Sequence, residues 1–198
     1  MRNGQLKAGY NLQIATENQF VLHYDIFPNP TDTKTLLPLL DSYPHDLKMV
    51  VADAGYGSEE NLTLLDQLGV NHLIKYGMFD KEQTRKQKQS PKNLNNWLYD
   101  DISDTYIHPD SSDYHFDYIK HSRTTTGFEQ EIRVYKADYL ELAPQKGLYV
   151  NQRYQELKRK ESQALLSEEG SRIFAQRKVD VDPVFGQIKA CLGYNVVN

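Results

Sequence analysis

Residues 50–60 read VVADAGYGSEE. A short apolar run from Met49 to Ala52 ends at a carboxylate, Asp53, and two glycines and a serine with two glutamates follow. This order predicts a buried strand, a tight turn and a helix that is capped by Ser58. In open α/β sheets, ligands bind outside the C-terminal ends of the strands. Asp53 is therefore a candidate ligand-binding or catalytic residue rather than a residue of the core.

The composition is that of a polar chain that can still bury a core. Its 198 residues, 39% of them hydrophobic, suit one domain, or one domain with an insertion. No apolar run approaches the roughly 18 residues of a membrane-spanning helix, and the polar start MRNGQ lacks a signal-peptide core. A single cysteine, Cys191, excludes an internal disulfide and a zinc cage made of cysteines. We therefore expect a cytoplasmic protein without a membrane partner.

The charge of the chain limits how it could bind nucleic acid. A net charge of −4 argues against a protein whose whole surface binds DNA. Two basic clusters remain, at residues 81–88 and 158–160. Charge runs of this kind are usually solvated faces, so we assign neither cluster a function.

The pattern along the chain predicts an α/β unit that a β-rich segment interrupts. In order, we expect strands near 10–16 and 19–26, a helix near 31–40, a strand at 47–52, a helix at 58–68, a strand at 72–75, short aromatic strands within 78–148, and a two-part helix over 151–181. This order matches a ribonuclease H-like mixed sheet with helices, with an antiparallel β insertion before its last helix. The opening strand of that fold is missing, so we expect it to be incomplete at the N-terminus.

A second stretch with chemical potential is IFAQRKVDVDPVFGQIK, residues 173–189. Clustered carboxylates allow divalent ions to catalyse phosphoryl transfer, and Mg²⁺ prefers oxygen ligands. Asp53 needs a partner, which we expect from this segment, at Asp182 or Asp180. From the residues alone, Asp182 before Pro183 is better explained as a helix N-cap, and Pro183 could also kink a continuous helix.

Three stretches in this order resemble the DDE transposases of bacterial insertion sequences. They are NGQLKAGYNLQIAT at residues 3–16, VADAGYGS at 51–58, and AQRK through PVFGQIK within 175–189. The resemblance extends over residues 1–198 and implies a partial ribonuclease H-like transposase domain with its β-rich insertion at 78–148. It also implies DNA transposition by metal-dependent strand cleavage and transfer, with Mg²⁺ as the ion and Mn²⁺ as the alternative.

The resemblance assigns a role to individual residues. Asp53 matches the second metal-binding aspartate of the family, and Asp182 stands where the family carries its catalytic glutamate, with Asp180 as the competing choice. Arg177 and Lys189 stand where the family has an arginine and a lysine that contact DNA near the scissile phosphate. The implied partners are DNA at the terminal inverted repeats of the transposon, and either a second copy of the chain or a full-length transposase.

The chain departs from the family pattern at its catalytic carboxylates. The first aspartate of the family lies on a strand upstream of Gly9, so we expect it to be absent. Asp182 is one methylene shorter than glutamate, and a misplacement of about 1 Å can cost about 100-fold in rate. The family's tyrosine is Phe174 here. We therefore expect a truncated and inactive transposase fragment, with a non-catalytic regulator that binds DNA or the transposase as the alternative.

Overall fold

The computed structural model describes residues 10–139 and 143–191, so residues 3–9 of the first matching stretch lie outside the described part. The described residues form two compact units. One contains the chain up to Gly77 together with the residues from Lys160 onward, and the other is Met78–Arg159. Helices and strands occur together in the chain, which confirms the predicted mixed α/β class.

The elements follow the predicted order, with short additions. The strands are β1 (Asn11–Glu17), β2 (Phe20–Phe27), β3 (Met49–Ala52), β4 (Asn71–Ile74), β5 (Leu98–Asp100), β6 (Thr105–Ile107), β7 (Asp113–Arg123), β8 (Glu129–Ala137) and β9 (Gly147–Val150). The helices are α1 (Leu36–Asp41), α2 (Glu59–Leu68), α3 (Phe79–Glu82), α4 (Arg85–Lys88), α5 (Gln152–Leu166) and α6 (Glu168–Ala190). Single 3₁₀ turns lie at Asp32–Lys34, Ala54–Tyr56 and Leu94–Asn96.

The first unit contains two small sheets. Strands β1 and β2 pair antiparallel around a turn in which Asn18 and Gln19 both have positive φ angles. Strands β3 and β4 pair in parallel, with Ala52 opposite Ile74. Parallel neighbours need a crossover, and α2 supplies it: Ser58 caps the helix by accepting from the Asn61 N–H, and Gly69 ends it in the left-handed conformation.

Helix α6 contacts strands of both sheets, namely β1, β2 and β3. It begins at Ser167, whose hydroxyl accepts a hydrogen bond from the Gly170 N–H at 3.0 Å. The helix then continues through Pro183. Asp182 is therefore in the helix interior, and its interpretation as an N-cap is wrong. Pro183 lacks an N–H and leaves one backbone carbonyl of the helix without its usual donor.

The second unit is built on the five-stranded sheet β5-β6-β7-β8-β9, in which all neighbours are antiparallel. Its core is aromatic: Trp97 and Tyr106 are nearly buried, and Tyr114 and Tyr135 are completely buried. The Trp97 indole donates to the Pro91 carbonyl at 2.8 Å, so its one polar atom is satisfied. The sequence predicted the antiparallel strands of this sheet but not β9. Of the helices in both units that the structure describes, none is long and apolar enough to cross a membrane.

A buried carboxylate accepts a hydrogen bond from the backbone of β4. Glu161 is 3% exposed, and its Oε2 accepts a hydrogen bond from the Ile74 N–H at 2.7 Å. Its other oxygen, Oε1, lies 2.6 Å from Nδ1 of His72, and Nε2 of His72 lies 3.2 Å from Oδ1 of Asp66. Lys160 pairs with the second oxygen of Asp66 at 3.3 Å. This charged cluster fixes α5 against the strand without leaving an unpaired charge in the interior.

Gly57 provides a test of how tightly the turn after β3 packs. A Cβ atom at this position would lie 2.1 Å from the Lys75 carbonyl oxygen and 2.7 Å from the Tyr76 Cα. We expect Gly57→Ala to lower the free energy of unfolding by about 1–3 kcal/mol, because backbone must move to accommodate the methyl group. Gly77→Ala is the matched control, since a Cβ there meets nothing within 4 Å. Equal urea midpoints for the two variants would contradict the packing described.

His72 makes the stability of the fold depend on pH. Burial lowers the pKa of His72, but the carboxylates of Glu161 and Asp66 outweigh burial and raise it above its usual 6.5. The folded state therefore binds the proton more tightly than the unfolded state. Its contribution to stability is complete below pH 6.5 and disappears as the pH rises through the raised pKa.

Urea unfolding at a series of pH values tests this. As the pH rises from 6.5 through the raised pKa of His72, we expect the free energy of unfolding to fall. The part of this decrease that comes from His72 should be absent in His72→Gln. His45→Gln, in an exposed loop, should retain the whole pH dependence. A His72→Gln profile parallel to that of the unsubstituted chain would refute the assignment.

Candidate functional site

Asp53 lies at the C-terminal tip of β3, where the sequence predicts it. Its Oδ1 accepts a hydrogen bond from the Gly55 N–H at 3.1 Å, and its carbonyl accepts one from the Tyr56 N–H at 3.2 Å. These two bonds form the 3₁₀ turn that follows the strand. The carboxylate is half exposed, so Oδ2 remains available for a partner outside the turn.

That partner is Arg177 of α6, one of the two predicted DNA-binding residues. Its guanidinium donates to Asp53 Oδ2 at 2.8 Å. The guanidinium carbon also lies 5.8 Å from the centre of the Phe174 ring, which holds it by a cation–π contact. The structure therefore brings together Asp53 and Arg177, which the sequence predicted separately. It also places a positive charge directly on the oxygen that a metal ion would need.

A second carboxylate, which the sequence did not single out as a site residue, lies next to this turn. Asp32 Oδ1 accepts hydrogen bonds from Asn11 Nδ2 at 2.8 Å and Gln13 Nε2 at 2.9 Å. A Cβ atom built on Gly55 would lie 2.9 Å from Asp32 Oδ2 and 3.3 Å from Asp53 Oδ1. The two carboxylates thus flank the same glycine. The one signal in the sequence was the pair of amides at 11 and 13, which alternation places on one face of β1.

Tyr56 completes the polar network around the two carboxylates. Its hydroxyl donates to Oε1 of Gln13, whose side chain is 3% exposed. Burial raises the pKa of the Tyr56 phenol, and the negative charges of Asp32 and Asp53 raise it further. The phenol therefore stays neutral and acts as a donor. The site carries two negative charges from its carboxylates, and Arg177 provides a positive one.

The other predicted residues lie further along α6. Asp180 is half-buried and accepts a hydrogen bond from Gln176 Nε2 at 3.1 Å, whereas Asp182 and Lys189 are exposed. A helix turns by about 100° per residue, so Asp180 lies about one turn from Arg177 on the same face. Asp182, five residues from Arg177, lies about 140° around the helix. The helix geometry therefore favours Asp180 as the carboxylate on the side of Asp53.

A different part of the chain contains the candidate metal cluster with three ligands. Among residues 10–139 and 143–191, Asp113, His115 and Asp138 are the group whose ligand atoms all lie within 4.8 Å of one another. They belong to strand β7 and the residue after β8, in the second unit. This surface cluster is separate in sequence and in unit from Asp53, so it does not supply the ligands that the sequence predicted.

The residues around Asp53 fit a divalent cation. Carboxylate oxygens are the protein ligands that Mg²⁺ prefers, and Mg²⁺ uses few of them because it keeps several waters. Asp53 and Asp32 offer such oxygens at one turn, and the guanidinium on Asp53 Oδ2 is a cation already in place there. A metal ion bound at that oxygen would compete with Arg177.

Competition between Arg177 and a metal ion can be measured. We expect Arg177→Met to raise the affinity for Mn²⁺ by up to about fivefold, because a partly exposed ion pair contributes about 0–1 kcal/mol. Arg172→Met is the control, since Arg172 is exposed on the same helix. Titration calorimetry in an Asp138→Asn background, which disables the Asp113–His115–Asp138 cluster, gives the affinities. An affinity that is unchanged or reduced in Arg177→Met would contradict the competition.

Comparison with known proteins identifies the family of the chain. A family model described as a transposase DDE domain matches residues 1–155, which include Asp32 and Asp53 but end before α6 and its residues Arg177, Asp182 and Lys189. No curated protein and no solved structure matches the chain. Because the family model extends over most of the 198 residues, the chain belongs to the transposase DDE domain family.

Proposed function

We propose that the chain takes part in DNA transposition through a divalent metal site at Asp53, with Mg²⁺ as the ion. The observation that carries the proposal is the contact of Arg177 with Asp53, because it places α6 beside the tip of β3. The helix then supplies both a second carboxylate and cations for DNA. Its partners would be the terminal inverted repeats of an insertion sequence in the cytoplasm, and a second copy of the chain or a full-length transposase.

The arrangement of the strands supports a ribonuclease H-like domain as the framework. An antiparallel pair, β1 and β2, precedes a parallel pair, β3 and β4, that is joined by α2. Helix α6 packs against strands of both pairs. In such an arrangement, Asp53 at the end of β3 and the residues of α6 belong to one site, with the second unit inserted between β4 and the end of α5.

The residues of the chain have distinct parts in this function. Asp53 binds the ion, which when present polarises the scissile phosphate and activates the attacking oxygen. Arg177 releases Asp53 Oδ2 and turns its guanidinium toward a phosphate, which it can bind with two parallel hydrogen bonds. Lys189 lies twelve residues further along α6, about 18 Å along the helix axis. It would contact the DNA backbone at a second point.

The carboxylate that α6 supplies to the proposed site is one of two aspartates. The family resemblance assigns it to Asp182, and the helix geometry favours Asp180, which is half-buried on the side of Arg177. We propose Asp182 as the metal ligand with Asp180 as its competitor. Asp182 is shorter than the glutamate that the resemblance implies, so we propose that strand cleavage by this chain is absent or very slow.

A second candidate function is regulation without catalysis. The exposed position of Asp182 favours a chain that binds DNA or a transposase without cutting. The two functions share Arg177 and Lys189 but differ in whether Asp53 is needed. Binding of DNA and cleavage of DNA must therefore be measured separately.

Binding to labelled DNA of the terminal inverted repeats tests both candidates. We expect Arg177→Met and Lys189→Met each to weaken binding and to reduce the salt dependence by about one phosphate contact. Lys48→Met is the control, because Lys48 is exposed just before β3, at the end opposite Asp53. If all three variants bind the DNA equally well, Arg177 and Lys189 of α6 do not contact it.

Cleavage assays with Mn²⁺ then separate the candidates. Cleaved ends that disappear in Asp53→Asn support catalysis, and comparison of Asp180→Asn with Asp182→Asn identifies the carboxylate of α6. Binding without cleaved ends supports regulation. If the unsubstituted chain neither binds nor cuts this DNA at low salt, both candidate functions are wrong.

A further inference from the structure

We propose that Asp32 is a second carboxylate of the Asp53 cation site and contributes its Oδ2 to the bound ion. The inference rests on the proposed function, since it concerns the same site. Its basis is the position of the two carboxylates around Gly55. A Cβ atom built on this glycine would lie 2.9 Å from Asp32 Oδ2 and 3.3 Å from Asp53 Oδ1. Nothing in the local sequence of Asp32 assigns it such a role.

The loop that carries Asp32 is tied to the turn that carries Asp53. Thr33 Oγ1 donates to the Gly55 carbonyl at 3.1 Å. Asn61 Nδ2 donates to the Thr33 carbonyl at 3.0 Å and to the Tyr56 carbonyl at 2.8 Å. Asn61 is 1% exposed, so this connection lies in the interior. The distance between the two loops is therefore fixed before any ion binds, as a preorganised site requires.

The hydrogen bonds of Asp32 leave its charge unexplained. Asn11 and Gln13 both donate to the same oxygen, Oδ1. An asparagine at position 32 would offer an equivalent carbonyl oxygen to these amides. The second oxygen faces Gly55 and the turn of Asp53, where a bound cation would contact it. Structural bonding alone would be satisfied by the neutral side chain.

Electrostatics around Gly55 also indicate a cation. Two carboxylates that flank one glycine repel each other. Arg177 compensates Asp53 through Oδ2. A divalent ion that binds both carboxylates would compensate the whole site and release Arg177. Glycine at position 55 permits this because any Cβ would displace Asp32 Oδ2.

The test is the affinity for Mn²⁺, measured by calorimetry on the full chain in the Asp138→Asn background. Asp32→Asn retains the acceptor for Asn11 and Gln13 and removes only the charge. We expect it to weaken Mn²⁺ binding by about tenfold or more, in the range seen when groups that support a metal site are removed. Asp46→Asn, an exposed loop residue before β3, should bind like the background protein.

Two further variants separate the possible failures. Asp53→Asn should lose the site altogether, and Gly55→Ala should weaken it because the methyl group moves Asp32 away. Circular dichroism melts confirm that each variant is folded. If Asp53→Asn abolishes binding while folded Asp32→Asn and Gly55→Ala bind like the background protein, the role of Asp32 is refuted and the Asp53 site stands. If the background protein binds no Mn²⁺, or binds it equally well with Asp53→Asn, both proposals fail.

Discussion

The ion pair between Arg177 and Asp53 joins two segments that are 124 residues apart in the sequence. It is a partly exposed pair, so its direct contribution to stability is small. Its importance is positional: it places the middle of α6 at the C-terminal tip of β3. The residues that could bind a metal ion and those that could bind DNA phosphates thereby come from one helix and one turn.

Negative charge is concentrated at this turn by the fold. Asp53 follows the strand directly, Asp32 is brought in by amide side chains of β1, and Gly55 allows the two carboxylates to approach. Tyr56 stays protonated, so its hydroxyl is a donor and not a third anion. Arg177 is the charge that makes this arrangement acceptable without a metal ion. In the proposed function, the same residue would bind a DNA phosphate once an ion replaces it at Asp53.

Much of the first unit could be predicted because its signals are local. The stretch VVADAGYGSEE predicted a strand, a turn and a helix cap at Ser58, and each lies within two residues of its expected place. The helix predicted at 58–68 likewise ends at Leu68, before Gly69. The resemblance to DDE transposases depended on this stretch and two others, and the family match confirms it.

The remaining features depend on contacts that short sequence patterns do not contain. Asp32 receives its hydrogen bonds from residues 19 and 21 positions away, so its place beside Asp53 had no local signal. Pro183 suggested a helix start, yet packing of Val184 in the interior keeps α6 continuous through it. The same continuity turns Asp182 toward solvent and Asp180 toward the side of Arg177, which spacing alone left open.

The most direct test of the account is a crystal structure of the chain with bound Mn²⁺, located by its anomalous scattering. The account predicts a Mn²⁺ ion in contact with Asp53 Oδ2 and Asp32 Oδ2, with the Arg177 guanidinium turned away from Asp53. A structure in which Arg177 still holds Asp53 Oδ2 while Mn²⁺ occupies only Asp113, His115 and Asp138 would contradict it.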